Sequence, residues 1–227
     1  MVLDIINAKI NDFKQHIQDT AEYKSLFKWD ALKQFQDNWD LKAEDFKEMY
    51  ENSFSKNVAT RLWEGENFFP KQAMLTMIDY DEEKVRGMFR NLLNEEKDLE
   101  ARIEFFVYDC NTIRNQILKT NPEFKHHYHG DYAMISIYLA FHYPQKYSIY
   151  KYNEFKQFME AVKSKSIPTE KEITRFFKVM KTINVLISKD EELLAIHKKI
   201  REINNSYKEE SLLLAQDFYH CSIKLAQ

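Results

Sequence analysis

Residues 126–129 read His-His-Tyr-His, with Asp131 just beyond. Zinc requires three or four ligands converging tetrahedrally, and neighbouring histidines on a loop supply one or two of them. His127 and His129 are therefore weak metal candidates. The two cysteines, Cys110 and Cys221, lie in apolar helical patterns far from this loop, and no second ligand cluster stands out. The expectation is a surface or capping role for the histidines, with no metal and no cofactor. A second stretch alternates cations and aromatics: Lys146, Tyr147, Tyr150, Lys151, Tyr152 and Lys156. Lysines can meet phosphates while unstacked bases lie on aromatic faces. The competing reading packs Tyr147 and Tyr150 inward and leaves the lysines to solvate the outside.

Catalytic motifs are scarce. With only Gly65, Gly87 and Gly130 present, neither a GxxxxGK[ST] phosphate loop nor a G-x-S-x-G nucleophile elbow can be assembled. Glu82-Glu83-Lys84 and Glu95-Glu96-Lys97 carry an acidic-x-lysine pattern. A metal-dependent nuclease needs that pattern on a strand, facing another carboxylate, whereas both copies fall at predicted helix ends. The chain reads as noncatalytic.

The formal charge of −3, from 33 basic and 36 acidic residues, is not the footprint of a protein that coats nucleic acid. The distribution is uneven, however. Lys119 to Lys165 holds seven lysines against Glu123, Asp131, Glu154 and Glu160, together with four of the seven histidines. Two cysteines make no disulfide framework and read as reduced core residues. Met1 to Ile10 has no signal-peptide character, and no apolar run approaches the ~20 residues of a membrane span. A cytoplasmic protein without membrane association is expected.

The elements that must position these residues are helical. Three glycines and four prolines leave few tight turns, so the composition favours long helices. Ile6, Ile10, Phe13 and Ile17 recur at helical spacing; Tyr23, Leu26, Phe27, Leu32 and Phe35 suggest a second helix. Leu99, Ile103, Phe106, Cys110, Ile113 and Ile117 are spaced four, three, four, three, four, predicting a long helix over 97–119 with a seam for packing. Asp131 onward begins a helix apolar nearly all round, which belongs in a core, and Pro144 stops it. Asp79 with Glu82, Thr169 with Glu172, and Ser188 with Glu191 read as N-terminal capping boxes, and Asn121 as a further cap. The fold expected is a mainly α, multi-helix globular bundle of about nine to eleven helices, with at most a short strand near 147–150. It reads as a single module over 1–227, with sub-boundaries near 40 and 164–169.

The run ISIYLAFHYPQKYSIYKYNEFK, through Ser136, Tyr138, Leu139, Tyr143, Pro144, Lys146, Tyr147, Ile149, Tyr150, Lys151 and Tyr152, resembles the N-terminal, non-motor region of McrB-like AAA+ proteins of modification-dependent restriction systems. Asp45-Phe46, Val85-Arg86-Gly87-Met88-Phe89, Lys97-Asp98-Leu99 with Arg102-Ile103, and Leu214-Ala215-Gln216-Asp217-Phe218 extend the resemblance over roughly residues 40–220. The resemblance implies a recognition module that binds DNA, modified or not, for an AAA+ motor in the same or an adjacent chain and a nuclease subunit. A helical protein–protein assembly module that never touches nucleic acid is the alternative. Weak charge and the absence of arginine between 119 and 165 favour the latter; the position implied by the resemblance favours the former.

Overall fold

The computed structural model describes residues 3–19, 26–55 and 57–225, side chains at 57 and 58 excepted; Tyr23 lies outside this range. Eleven α-helices follow one another among the described residues: α1 (Leu3–Asp19), α2 (Leu26–Asn38), α3 (Phe46–Ser53), α4 (Pro70–Tyr80), α5 (Glu82–Leu92), α6 (Leu99–Ile117), α7 (Ala133–His142), α8 (Tyr152–Ala161), α9 (Ile173–Ile187), α10 (Glu191–Ile203) and α11 (Leu213–Lys224). The mainly α bundle is as the composition implies. Residues 147–150 form neither helix nor strand. No described helix is long and apolar enough to cross a membrane.

Helix boundaries depart from the expected caps. Asp79 lies inside α4, and Asp81 is the residue that caps α5, accepting the Lys84 N–H at 3.0 Å. Asp190, not Ser188, caps α10 through the Leu193 N–H, while Ser188 closes α9. Thr169 caps nothing, because α9 starts only after Glu172, which itself makes no side-chain cap. Asn121 accepts the Glu123 N–H within a turn that no helix follows. At α5 and α10 a carboxylate next to the true start satisfies an orphan N–H, and the sequence spacing alone misplaces it by two residues.

The chain divides into two compact units, Met1–Trp29 with Tyr143–Gln227, and Asp30–His142. The divisions fall within α2 and after α7. In the first unit α11 is central and packs against α1, α8 and α9. Its residues are buried almost all round, from Leu213 to Ile223.

In the second unit α3, α4, α5 and α6 pack on one another. All nine residues from Ala133 to Phe141 in α7 are buried. Tyr138 shows why: its ring meets Phe89 at 4.9 Å, Phe54 at 5.7 Å and Phe106 at 5.9 Å between centroids. The first two contacts are edge-on, and such pairs add ~0.5–1.5 kcal/mol each beyond area burial. The seam residues Ile103, Phe106, Cys110, Ile113 and Ile117 are likewise buried.

Candidate functional sites

The cation–aromatic stretch is only partly a surface. Tyr147 and Tyr150 are buried, which corrects their assignment as base platforms. Tyr147 lies edge-on to Phe177 at 4.9 Å, and Tyr150 edge-on to Phe176 at 5.2 Å. The Tyr150 hydroxyl accepts the Glu172 N–H at 3.2 Å. The cause is the irregular segment between α7 and α8, which is stitched to the start of α11. Leu212 N–H donates to the Pro144 carbonyl at 2.7 Å, and Ser148 Oγ to Gln216 Oε1 at 2.6 Å. Tyr152 is half-buried at the start of α8, its hydroxyl 3.4 Å from the Pro168 carbonyl.

The lysines stay outside. Lys146 and Lys156 are exposed, and Lys151 is half-buried with Nζ 3.6 Å from Glu154. Lys146 Nζ lies 5.2 Å from the centre of the half-buried Tyr143 ring, and Lys181 of α9 lies 5.8 Å from that of Tyr147. The Tyr143 and Tyr147 rings are 6.3 Å apart, so Lys146 and Lys181 flank one aromatic pair. Lys178, one turn before Lys181, is also exposed. Tyr143, Lys178 and Lys181 are not apparent from the 146–156 motif. Burial of Phe176, Phe177 and Met180 on the other face of α9 is the signal that points Lys178 and Lys181 outward. The lysine-rich window 119–165 is itself divided, residues 119–142 belonging to one unit and 143–165 to the other.

Two of the three loop histidines are buried where a surface role was expected, while His126 is exposed. His127 and His129 lie in the interior, and the structure adds Cys110 from α6, the thiol that sequence distance excluded. One potential ligand atom from each of the three lies within 4.8 Å of the others. Tyr128 between the histidines has φ 63°, the left-handed region that costs a non-glycine residue about 1 kcal/mol or more. Its ring packs near Phe68 and Phe69 and lines a cleft of about 300 Å³ with Phe124 and His126. Asp131 is exposed and accepts the Ala133 N–H at 3.0 Å.

A hydrogen-bond chain runs through the pair. His129 Nδ1 donates to the His127 carbonyl at 2.5 Å, and Nε2 takes the Tyr138 hydroxyl at 3.1 Å. The Tyr138 and Tyr50 hydroxyls are 2.7 Å apart. His127 Nε2 meets Asn111 Oδ1 at 3.2 Å, and Nδ1 accepts the His129 N–H at 3.1 Å. Burial pulls both imidazoles down, to about 4 for His127 and about 3 for His129, so both are neutral near pH 7. Burial pushes the Cys110 thiol well up.

The first unit has a buried ionic cluster that no motif announced. Lys28 and Asp217 form an ion pair with both side chains wholly buried, and His197 lies 3.8 Å from Asp217 Oδ2. Burial alone would raise the Asp217 pKa, but the Lys28 charge and the His197 contact hold it well below the usual carboxylate range. Lys28 Nζ is 3.2 Å from His220 Nδ1, and His220 Nε2 is 2.8 Å from Glu154. Burial first, then the Lys28 charge, lowers the His220 pKa. A neutral His220 accepting from Lys28 and donating to Glu154 satisfies both contacts. The line of groups thus runs from the partly exposed Glu154 to the interior Asp217. No protein-family model, curated protein or solved structure matches the chain.

Proposed function

We propose that this chain is the noncatalytic recognition module of a McrB-like restriction and anti-phage defence system. It binds DNA for an AAA+ motor in the same or an adjacent chain and for a nuclease subunit. The observation that carries the DNA reading is the concentration of positive charge in one unit. Between Tyr143 and Lys189 there are ten basic residues and four acidic ones, in a chain of net charge −3. Within that segment Lys146 and Lys181 flank the Tyr143–Tyr147 pair, and Lys156 and Lys178 are exposed.

Lysine suits phosphate contact as a point charge, whereas bidentate reading of guanine favours arginine. The burial of Tyr147 and Tyr150 removes them from base stacking and leaves a backbone-directed surface. Binding is therefore weak, electrostatic and little dependent on sequence. The test is a fluorescence-anisotropy titration of duplex and single-stranded DNA, with and without modified cytosine. Lys146→Glu combined with Lys181→Glu should weaken binding to every one of these DNAs while the circular dichroism spectrum stays unchanged. Equal affinity in wild type and variant would remove the lysine surface from the proposal.

A second reading rests on the other unit. Phe105 and Tyr108 of α6 are 60% and 67% exposed, and their i,i+3 spacing puts them on one helix face. Exposed paired aromatics of this kind are enriched at protein interfaces. A helical assembly module that uses this face for a protein partner takes over if the chain binds no DNA even in low salt.

A further inference from the structure

We infer that Cys110, His127 and His129 form a binding site for a zinc-type divalent transition-metal ion. The donor set is one thiol and two imidazoles, a borderline-soft combination that suits zinc and disfavours calcium or magnesium, which take oxygen ligands. All three residues are buried, and one potential ligand atom of each lies within 4.8 Å of the others. Atoms at zinc-ligand distance of ~2.0–2.3 Å from a shared tetrahedral centre lie about 3.3–3.6 Å apart. Closing the triad therefore takes a shift of order 1 Å, within the reach of side-chain rotation.

The surroundings fix the tautomers of both imidazoles. The His127 carbonyl holds the Nδ1–H of His129, which directs the Nε2 lone pair inward; Asn111 Oδ1 takes the Nε2–H of His127, which leaves the lone pair on Nδ1. Carbonyl and amide partners of this kind fix tautomer and ring orientation at metal sites. An ion would replace two weaker contacts, that of the Tyr138 hydroxyl with His129 and that of the His129 N–H with His127. The Tyr138 oxygen, 3.1 Å from His129 Nε2, is then at hand as a fourth donor. The left-handed Tyr128 supplies a reason for the strain: it turns its own ring to the surface cleft while both neighbouring imidazoles stay inside. Coordination converts the Cys110 thiol to a thiolate and releases its proton to solvent. Burial of the triad fits an ion that braces α6 against the loop leading to α7, rather than one kept open to substrate.

The test uses the full chain without an affinity tag, stripped of metal and titrated with Co²⁺ and then Zn²⁺. The expected result is one equivalent of Co²⁺ with a thiolate-to-metal charge-transfer band, displaced by Zn²⁺, and a melting temperature raised by Zn²⁺. Cys110→Ser should abolish the band, and His127→Gln should abolish the zinc-dependent rise in melting temperature. The apo melting temperature of each variant separates loss of the site from loss of the fold. Folded wild-type protein that gives no charge-transfer band overturns the inference. So does metal binding that survives both substitutions, which would locate the ion at exposed side chains such as His126.

Discussion

Trp29 donates its indole N–H to Asp217 Oδ2 at 2.8 Å, in the same interior where Asp217 pairs with Lys28. Neither charged side chain reaches solvent. Asp217 is thus the counter-ion that lets a lysine lie in a core, and an indole shares the same carboxylate. Breaking a buried pair leaves one charge uncompensated and costs ~3–5 kcal/mol, whereas replacing both partners by apolar groups is often nearly neutral. Asp217→Asn should lower the unfolding free energy obtained from urea denaturation by that amount. Lys28→Met together with Asp217→Leu should recover much of the loss, and failure to recover would show that the pair is not an independent unit.

Glu154 gives the cluster a pH signature. Burial raises its pKa, but the hydrogen bond from His220 and the charges of Lys151 and Lys28 outweigh this and hold it at about 2, against an ordinary 4.5. A folded value below the unfolded one means that the unfolded chain takes up the proton first as pH falls. The stabilisation is complete above about pH 4.5 and is lost as pH drops towards 2. Denaturation midpoints measured across that window should fall, and Glu154→Gln should flatten the fall.

The Tyr138 hydroxyl bridges Tyr50 and His129. Tyr138→Phe keeps the ring contacts and strands a buried imidazole nitrogen, so a loss of ~1–3 kcal/mol is expected. Thermal or chemical unfolding of the variant measures it directly, and an unchanged midpoint would mean that His129 finds another donor.

Leu139 is fully buried beside it on α7. Leu139→Ala should cost ~2–5 kcal/mol, the usual range for a large-to-small core change. A melting temperature that does not move would make α7 peripheral.

The helices were legible because their signal is periodic: the Leu99–Ile117 seam and the all-round apolar α7 can pack only one way. Caps were not, since several acidic or hydroxyl residues within a few positions satisfy the same pattern and backbone geometry decides among them. Tyr147 and Tyr150 were open to both an inward and a platform reading, because a short non-helical stretch has no period to mark its buried side, and all four residues from 147 to 150 are buried. Cys110 stands 17 residues before His127, and separation along the chain hid their proximity. The pointer was available in the seam itself: Cys110 is on the buried face of α6, and the histidine pair stands just before α7. Lys28 and Asp217 could not be paired from sequence, with 188 positions between Asp217 and the adjacent Trp29.

The proposed DNA-binding surface of lysines is tested most directly by the salt dependence of affinity for a short DNA duplex. Each phosphate neutralised contributes about −0.9 to the slope of log K against log salt concentration. Contacts through Lys146, Lys156, Lys178 and Lys181 predict a slope of about −3 to −4, falling by about 2 in magnitude when Lys146 and Lys181 are reversed to glutamate. Detectable binding in low salt with that slope is the predicted result. No binding at low salt, or binding whose affinity is indifferent to salt, would contradict the account.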